Sequence, residues 1–169
     1  MAFRFAMIKV LGTVMLVSSL LWPQAALAEK RGGAAAKAGE QEVLGNLKLL
    51  TPEGNPVYLV PFIGRKAVVV VFWASWCPLC REEIPRLNRM NANSQVKVIG
   101  VNEGESAGTA AKFAARNKVG YETVVDPDGA VARAFRVSGV PYCVILGRSG
   151  LIVYRGSAVP DEIDYYLNQ

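Results

Sequence analysis

Two cysteines separated by two residues are the feature of this sequence whose spacing most directly indicates chemistry, in the run Cys77-Pro78-Leu79-Cys80. The chain has 169 residues and three cysteines. A bridge between Cys77 and Cys80 would close a very small loop, so it would remove little entropy from the unfolded chain and stabilise the fold weakly. The pair is therefore better explained by thiol–disulfide exchange than by stapling of a scaffold.

A zinc site is the alternative interpretation of two cysteines at this spacing. It would need two further ligands, but the chain has no histidine and no second CxxC pair, and Cys143 alone cannot complete the set. The missing histidine also excludes a Ser-His-Asp triad, in which histidine is the base. We therefore expect neither a metal nor a cofactor, only a redox-active disulfide between Cys77 and Cys80.

The position of the pair in the chain predicts different roles for its two cysteines. Cys77 follows a strand and a loop and directly precedes a helix, whose unpaired N–H groups and dipole favour a negatively charged sulfur. A low pKa of Cys77 is therefore expected, which would make it the attacking thiolate. Cys80 lies one turn further along and is expected to be more buried, with the role of attacking the mixed disulfide. Pro78 fits the first helical turn, where an N–H is dispensable.

The elements that position these cysteines are predicted from the hydrophobic pattern of residues 46–169. The β-branched run Val68–Phe72 is typical of a strand buried on both faces. A helix is expected from the cysteine pair to about Met90, and the order of strands and helices predicts a mixed sheet covered by helices on both faces. The other expected strands are a hairpin of 47–50 and 57–60 and the strands 96–101, 121–125, 142–146 and 151–155. The other expected helices run from Ser106 to about Lys118, from the turn of residues 126–129 through Phe135, and from Pro160 to Leu167.

The first 28 residues predict a secretory signal peptide. Arg4 and Lys9 precede an apolar run, and the segment ends in Ala26-Leu27-Ala28, a pattern of small residues that signal peptidase accepts. An uncleaved membrane anchor is the alternative, although the apolar stretch is short for a spanning helix. Residues 29–45 are expected to be a flexible linker and residues 46–169 a single domain in the periplasm, where disulfides persist.

A longer run around the cysteines resembles the active site of thioredoxin-like proteins and is most similar to that of the periplasmic TlpA/ResA branch. The run that carries the resemblance is Phe72-Trp73-Ala74-Ser75-Trp76-Cys77-Pro78-Leu79-Cys80-Arg81-Glu82-Glu83-Ile84-Pro85. Residues 101–106, the tripeptide Gly139-Val140-Pro141, and the glycines Gly150 and Gly156 around the last strand agree with this branch. The resemblance covers residues 44–167 and implies an α/β, thioredoxin-like mixed sheet with an N-terminal β-hairpin and a central αβ insertion.

The resemblance also implies a proton acceptor beside the cysteine pair. Glu83, three residues after Cys80 on the same helix face, matches a glutamate that takes part in proton transfer in the TlpA/ResA branch. Thioredoxin instead has a buried aspartate on the preceding strand, and the matching residue here is the apolar Val71. Glu83 is therefore the candidate to accept a proton from Cys80, while Glu82 is expected to be an ordinary surface residue.

A docking surface for substrate is implied in the same way. Pro141 matches the cis-proline of the family, and the backbone of Val140 beside it is expected to pair with an extended substrate segment. Trp76 is expected to shield the sulfur of Cys77 and, with Pro78, to line this surface. Trp76, Pro78, Val140 and Pro141 are thus the candidate substrate-binding residues.

Two features depart from the branch that the sequence resembles. Most of its members place proline immediately before the second cysteine, whereas the order Pro78-Leu79 is closer to that of glutaredoxins and of the oxidant DsbA. A histidine in place of Leu79 would favour the disulfide-forming state in the manner of DsbA, so leucine favours a reductant. Cys143, two residues after Pro141, is either a small buried hydrophobe or a third redox thiol.

The leading functional hypothesis is an exported thiol–disulfide oxidoreductase that reduces disulfides in periplasmic client proteins. The resemblance implies cytochrome c apoproteins or copper-site assembly proteins as clients, and a membrane electron donor of the DsbD/CcdA type. A disulfide-forming oxidase or isomerase is the second hypothesis, and a non-catalytic metal- or partner-binding module is the third. Peroxiredoxins share the scaffold but use a Thr-x-x-Cys site, which the sequence lacks. The net charge of +5 is too scattered to indicate nucleic acid as a partner.

Overall fold

The computed structural model of the protein describes residues 47–168. The predicted signal peptide of residues 1–28 and the predicted linker of residues 29–45 lie outside the described residues. Within the described range, no helix combines the length and the apolar character that crossing a membrane requires.

Seven strands and four α-helices make up residues 47–168, in the order that the sequence predicts. The strands are β1 (Leu49–Leu50), β2 (Pro56–Val57), β3 (Ala67–Trp73), β4 (Val96–Glu103), β5 (Glu122–Asp126), β6 (Tyr142–Leu146) and β7 (Ile152–Gly156). The helices are α1 (Pro78–Asn91), α2 (Ala107–Arg116), α3 (Ala130–Ala134) and α4 (Ile163–Leu167). The bounds of the central elements, from β3 to β7, agree closely with the predicted ones.

The strands form one mixed sheet in the order β2-β1-β5-β4-β3-β6-β7. Strand β3 pairs in parallel with β4, with Trp73 opposite Asn102, and antiparallel with β6, with Val71 opposite Cys143. Every residue of β3 is buried, as expected for a strand with layers packed on both faces. Parallel strands need a crossover connection, and helix α1, which begins just after Cys77, supplies it between β3 and β4.

Side chains of β3 alternate between two separate cores, one on each face of the sheet. On one face, Phe72 packs against Phe135 at the end of α3, with ring centroids 5.5 Å apart. On the other face, Val69 belongs to a cluster that includes Leu87 of α1 and is covered by α4. Helices therefore cover both faces of the sheet, and the predicted fold class is confirmed.

The N-terminal hairpin is confirmed, but its second arm is shorter than predicted. Strands β1 and β2 pair antiparallel, with Leu49 opposite Val57. The prediction extends this arm to Val60, whereas Val60–Phe62 forms a 3-10 turn. Pro61 explains the difference, because it has no N–H to donate to a neighbouring strand and fits the start of a helical turn.

The C-terminal helix begins later than predicted, at Ile163 rather than at Pro160. The carbonyl oxygens of Val159 and Pro160 accept hydrogen bonds from the guanidinium group of Arg86, at 3.0 and 2.6 Å. These two carbonyl groups are therefore engaged by a side chain of α1 and do not take part in a first turn of α4. The delayed start thus follows from a long-range contact that local sequence does not reveal.

Candidate active site

The loop of residues 74–76 connects the end of β3 to the cysteine pair. The carboxylate of Glu105, from the loop after β4, accepts hydrogen bonds from the backbone N–H and the hydroxyl of Ser75, at 2.7 and 2.5 Å. It also accepts one at 2.7 Å from the side-chain amide of Asn102, which is fully buried. The ends of two neighbouring strands are thereby tied together, which fixes the path of the chain into α1.

A disulfide joins Cys77 and Cys80 at the start of α1. Cys77 is the N-cap of the helix, and its sulfur accepts a hydrogen bond from the backbone N–H of Cys80 at 3.1 Å. Pro78 is the first helical residue. The sulfur of Cys77 therefore lies where the unpaired N–H groups of a helix favour negative charge, as the sequence predicts.

The relative burial of the two cysteines differs from the prediction. Cys80 is expected to be the more buried, but Cys77 is 3% exposed and Cys80 is 7% exposed. Both belong to a cluster with Trp73 and Phe113, and Val140 packs against this cluster. Because the disulfide holds both residues in one packed layer, the position of Cys80 one turn further along gives it no additional cover. The prediction of relative burial is therefore wrong.

The loop before β6 brings the predicted cis-proline close to the cysteine pair. The Val140–Pro141 peptide bond is cis, and Val140 packs against the cluster that contains both cysteines. Trp76 is 69% exposed and Leu79 is 59% exposed. Trp76, expected to shield the sulfur of Cys77, is thus largely open to solvent and lies outside that cluster. The exposed apolar surface beside the disulfide is the kind of surface that binds a partner.

A cavity of about 170 Å³ lies beside Cys80. Its lining includes Glu83 from α1, Tyr121, and two residues that face each other in the sheet, Val71 and Cys143. One carboxylate oxygen of Glu83 is buried and has no hydrogen-bond partner in the described part of the chain. Cys80 and Glu83 therefore line one space, and a carboxylate oxygen that accepts no hydrogen bond is suited to take up a proton there.

Comparison with known proteins assigns this arrangement to a family. Residues 41–155 match the AhpC/TSA family. The chain belongs to this family. A relative named thiol-disulfide oxidoreductase ResA, from Halalkalibacterium halodurans, is 31% identical over 121 residues, which cover 70% of this chain and 67% of the relative. A thiol:disulfide interchange protein DsbE homolog from Paracoccus denitrificans is 35% identical over 98 residues, covering 57% of this chain and 54% of the relative.

A solved structure extends the similarity of this AhpC/TSA chain to three dimensions. The putative thiol:disulfide interchange protein DsbE from Chlorobium tepidum matches with a TM-score of 0.63 and 28% identity, covering 78% of this chain and 88% of that chain. The predicted thioredoxin-like fold of the TlpA/ResA type is therefore confirmed, and the chain is a thiol–disulfide oxidoreductase. Ala74 lies three residues before Cys77, so the Thr-x-x-Cys site of peroxiredoxins is missing from this member of the family.

Cys143 is a free cysteine and is 1% exposed. Burial, and to a smaller extent the negative charge of Glu83, raises the pKa of the Cys143 thiol to about 12. The thiolate is the form that attacks disulfides, so the protonated Cys143 is a poor nucleophile at neutral pH. Cys143 is thus confirmed as a small buried residue, although it lines the same cavity as Cys80.

Arg86 is a residue that sequence reasoning does not single out and that helps to form this cavity. Its guanidinium group holds the carbonyl groups of Val159 and Pro160 and lies 3.8 Å from the carboxylate of Glu83. Val159 itself lines the cavity. Arg86 therefore fixes the segment that closes the cavity beside Glu83. The available signal in the sequence is its spacing, three residues after Glu83 on the same helix face.

Glu105 is a second residue of the site that sequence reasoning misses. Burial tends to raise its pKa, but the hydrogen bonds from Ser75 and Asn102 outweigh burial and hold the pKa of Glu105 below its ordinary value of 4.5. Glu105 and Ser75 are 30 positions apart in the sequence. The resemblance of residues 101–106 to the family points to this segment, but it does not indicate which side chain supports the cysteine loop.

Replacing Glu105 with glutamine should lower the free energy of unfolding by about 1–2 kcal/mol at neutral pH, because the new amide group places a donor against the donors of Ser75 and Asn102 in a partly exposed site. The native pKa of Glu105 is lowered, so the wild-type carboxylate adds stability that is complete above the ordinary value of 4.5 and is lost as the pH falls through the native pKa. Urea unfolding of both proteins at a series of pH values measures this difference, which should shrink towards acid. A difference that stays constant with pH would contradict the role of the Glu105 carboxylate.

Proposed function

We propose that this thiol–disulfide oxidoreductase is an exported reductant of disulfides in periplasmic client proteins. Cys77, as the thiolate, attacks a client disulfide, forms a mixed disulfide and releases one client thiolate. Cys80 passes its proton to Glu83, attacks the sulfur of Cys77 and releases the second client thiolate. Two electrons thus move to the client, which gains two thiols, while the protein ends with its Cys77–Cys80 disulfide. The cysteine pair carries the electrons without a metal or a bound cofactor.

The observation that carries the reducing direction is how few groups stabilise the sulfur of Cys77. In the disulfide form that the structure shows, one hydrogen bond within residues 47–168 reaches this sulfur, from the N–H of Cys80 at 3.1 Å. The side chain of Leu79 is apolar and exposed, so it has no hydrogen-bond donor for the sulfur of Cys77. A strong oxidant such as DsbA depends on a stabilised reduced form. With less stabilisation of the Cys77 thiolate, the disulfide form is favoured and the dithiol is the better electron donor.

The client is proposed to dock on the surface formed by Trp76, Pro78, Val140 and Pro141. The exposed ring of Trp76 offers apolar contact area beside the disulfide. Val140 packs on the cysteine cluster, so a client segment that pairs with its backbone would run past the sulfur atoms. Docking and chemistry would therefore occur on adjacent residues.

The reduction potential of the cysteine pair tests the direction of electron flow. Equilibration with thiol–disulfide buffers should give a value near that of thioredoxin, about −270 mV, and far from that of DsbA, about −120 mV. Leu79→His is the matched variant, since it creates the dipeptide of the DsbA type and should raise the potential. A wild-type value near that of DsbA would overturn the reductant and favour the disulfide-forming oxidase that the order Pro78-Leu79 suggests.

The location and the partners belong to the same proposal. The pattern of residues 1–28 and the similarity to ResA and to DsbE proteins support export to the periplasm, with clients of the cytochrome c or copper-site assembly type and a membrane electron donor of the DsbD/CcdA type. Cleavage after Ala28 predicts Glu29 as the first residue of the protein recovered from the cell envelope. A recovered chain that still begins with Met1 would indicate an anchor instead.

A further inference from the structure

A pocket on the docking surface, here called the Trp76 pocket, is lined by Trp76, Glu103, Gly104, Gly139 and Val140 and has a volume of about 280 Å³. It shares no lining residue with the cavity beside Cys80. Trp76 directly precedes the attacking cysteine, and Val140 precedes the cis-proline. The Trp76 pocket therefore lies within reach of any polypeptide that places a cysteine on Cys77.

The acidic residue of this pocket, Glu103, has no partner among residues 47–168. The carboxylate of Glu103 makes no hydrogen bond and no ion pair with the residues that the structure describes, although the side chain is half-buried. Its two acidic neighbours are engaged: Asp126 accepts hydrogen bonds from the N–H groups at the start of α3, and Glu105 accepts those from Ser75. Burial, and then the charge of Asp126, raises the pKa of Glu103. A cation at this point would be attracted by both carboxylates.

The exposed ring beside this carboxylate adds a second attraction for a cation. Trp76 is 69% exposed, and the face of an indole ring is the best aromatic surface for a cationic side chain. A carboxylate and an indole on one pocket match the charged head and the aliphatic stem of lysine or arginine. The pocket thus has the chemistry of a subsite for a basic residue.

We propose that the Trp76 pocket binds a lysine or arginine side chain of the client, close in sequence to the client cysteine that Cys77 attacks. This inference rests on the proposed function, because it needs a client segment docked along Val140. Alternate residues of an extended segment point to the same side. A client chain with its cysteine at Cys77 therefore presents a nearby side chain to the pocket, and clients with a basic residue there are reduced faster.

Two disulfide-bonded peptides that differ only in the residues flanking their cysteines, lysine in one and glutamine in the other, test the subsite. At low ionic strength, the reduced wild-type protein should reduce the lysine peptide about fivefold faster, as measured by acid quench and chromatography. Glu103→Gln should reduce this preference to less than about twofold. Glu53→Gln is the matched control, because it removes an exposed carboxylate from the N-terminal hairpin turn and should keep the full preference.

The charge-reversed variant Glu103→Lys distinguishes a loss of the subsite from a loss of folding. It should prefer a peptide with flanking glutamates over the lysine peptide, a gain that an unfolded protein cannot show. Equal wild-type rates for the lysine and glutamine peptides would overturn the subsite and leave the reductant intact. A lysine preference that survives in Glu103→Gln, or that is lost in Glu53→Gln, would overturn it as well. Failure of the wild-type protein to reduce either peptide would instead overturn the proposed function.

Discussion

Cys77→Ser is expected to reduce insulin at least about 1,000-fold more slowly than the wild-type protein, because a hydroxyl does not ionise near neutral pH and is a poor nucleophile towards sulfur. Cys77 is the residue placed at the helix N-terminus, where its sulfur accepts the N–H of Cys80. Cys143 cannot replace it, since its thiol is buried and its pKa is raised to about 12. Turbidity of insulin with a small dithiol as electron donor measures the rate.

Cys80→Ser separates the two steps of the exchange. This variant keeps the attacking thiolate but cannot release the client, so it should accumulate a mixed disulfide visible on non-reducing gels. Trapping in the cell would also identify the client. Cys143→Ala is the control, because it removes a cysteine outside the pair and should keep the wild-type rate. Trapping by Cys77→Ser in place of Cys80→Ser would show that the roles of the two cysteines are reversed, and activity retained in Cys77→Ser would show that Cys77 is not the attacking thiolate.

Glu83→Gln is expected to slow the release of the client by about 100-fold at neutral pH, because a glutamine cannot accept the proton of Cys80 and general-base help of this kind contributes at least about that factor. Glu83 and Cys80 line one cavity, and the buried carboxylate oxygen of Glu83, 3.8 Å from Arg86, accepts no hydrogen bond within residues 47–168. The decay of a preformed mixed disulfide with a peptide, followed by rapid acid quench, measures this step apart from the first attack.

The pH dependence of that decay distinguishes a proton acceptor from a structural residue. In Glu83→Gln the thiol of Cys80 must lose its proton to solvent, so the rate should rise about tenfold per pH unit until the thiol ionises. A variant that had only lost packing would be slower at every pH by the same factor. Glu53→Gln removes an exposed carboxylate from the turn of the N-terminal hairpin, so its pH profile should match that of the wild-type protein. A wild-type profile in Glu83→Gln would exclude Glu83 as the acceptor.

The central part of the fold could be predicted because its signals are local. Residues 68–72 form a run of β-branched side chains ending in Phe72, which fits only a strand covered on both faces, and Pro78 marks a first helical turn. The start of α4 could not be predicted in this way. It depends on hydrogen bonds from Arg86 to carbonyl groups 73 and 74 residues later in the chain, and no local pattern reports them.

The candidate site was predictable to the extent that spacing and resemblance define it. The CxxC pair is visible in the sequence, and the resemblance placed the cis bond before Pro141, which the structure confirms. The relative burial of Cys77 and Cys80 was not predictable, because residues from several other segments, among them Trp73, Phe113 and Val140, pack in one cluster with them. The lack of a hydrogen-bond or ion-pair partner for Glu103 within residues 47–168 was not predictable either. It depends on tertiary contacts, because other groups donate hydrogen bonds to its two acidic neighbours.

The hydrogen bonds between Ser75 and Glu105 also link the shape of the cysteine loop to the pairing of two strands. Each residue follows one of two strands that pair in the folded sheet, so these bonds form only after β3 and β4 have paired. A chain in which β3 and β4 have not paired lacks this support for the cysteine loop. The geometry of the cysteine loop therefore depends on the pairing of β3 with β4, whereas the burial of Cys143 depends on the pairing of β3 with β6.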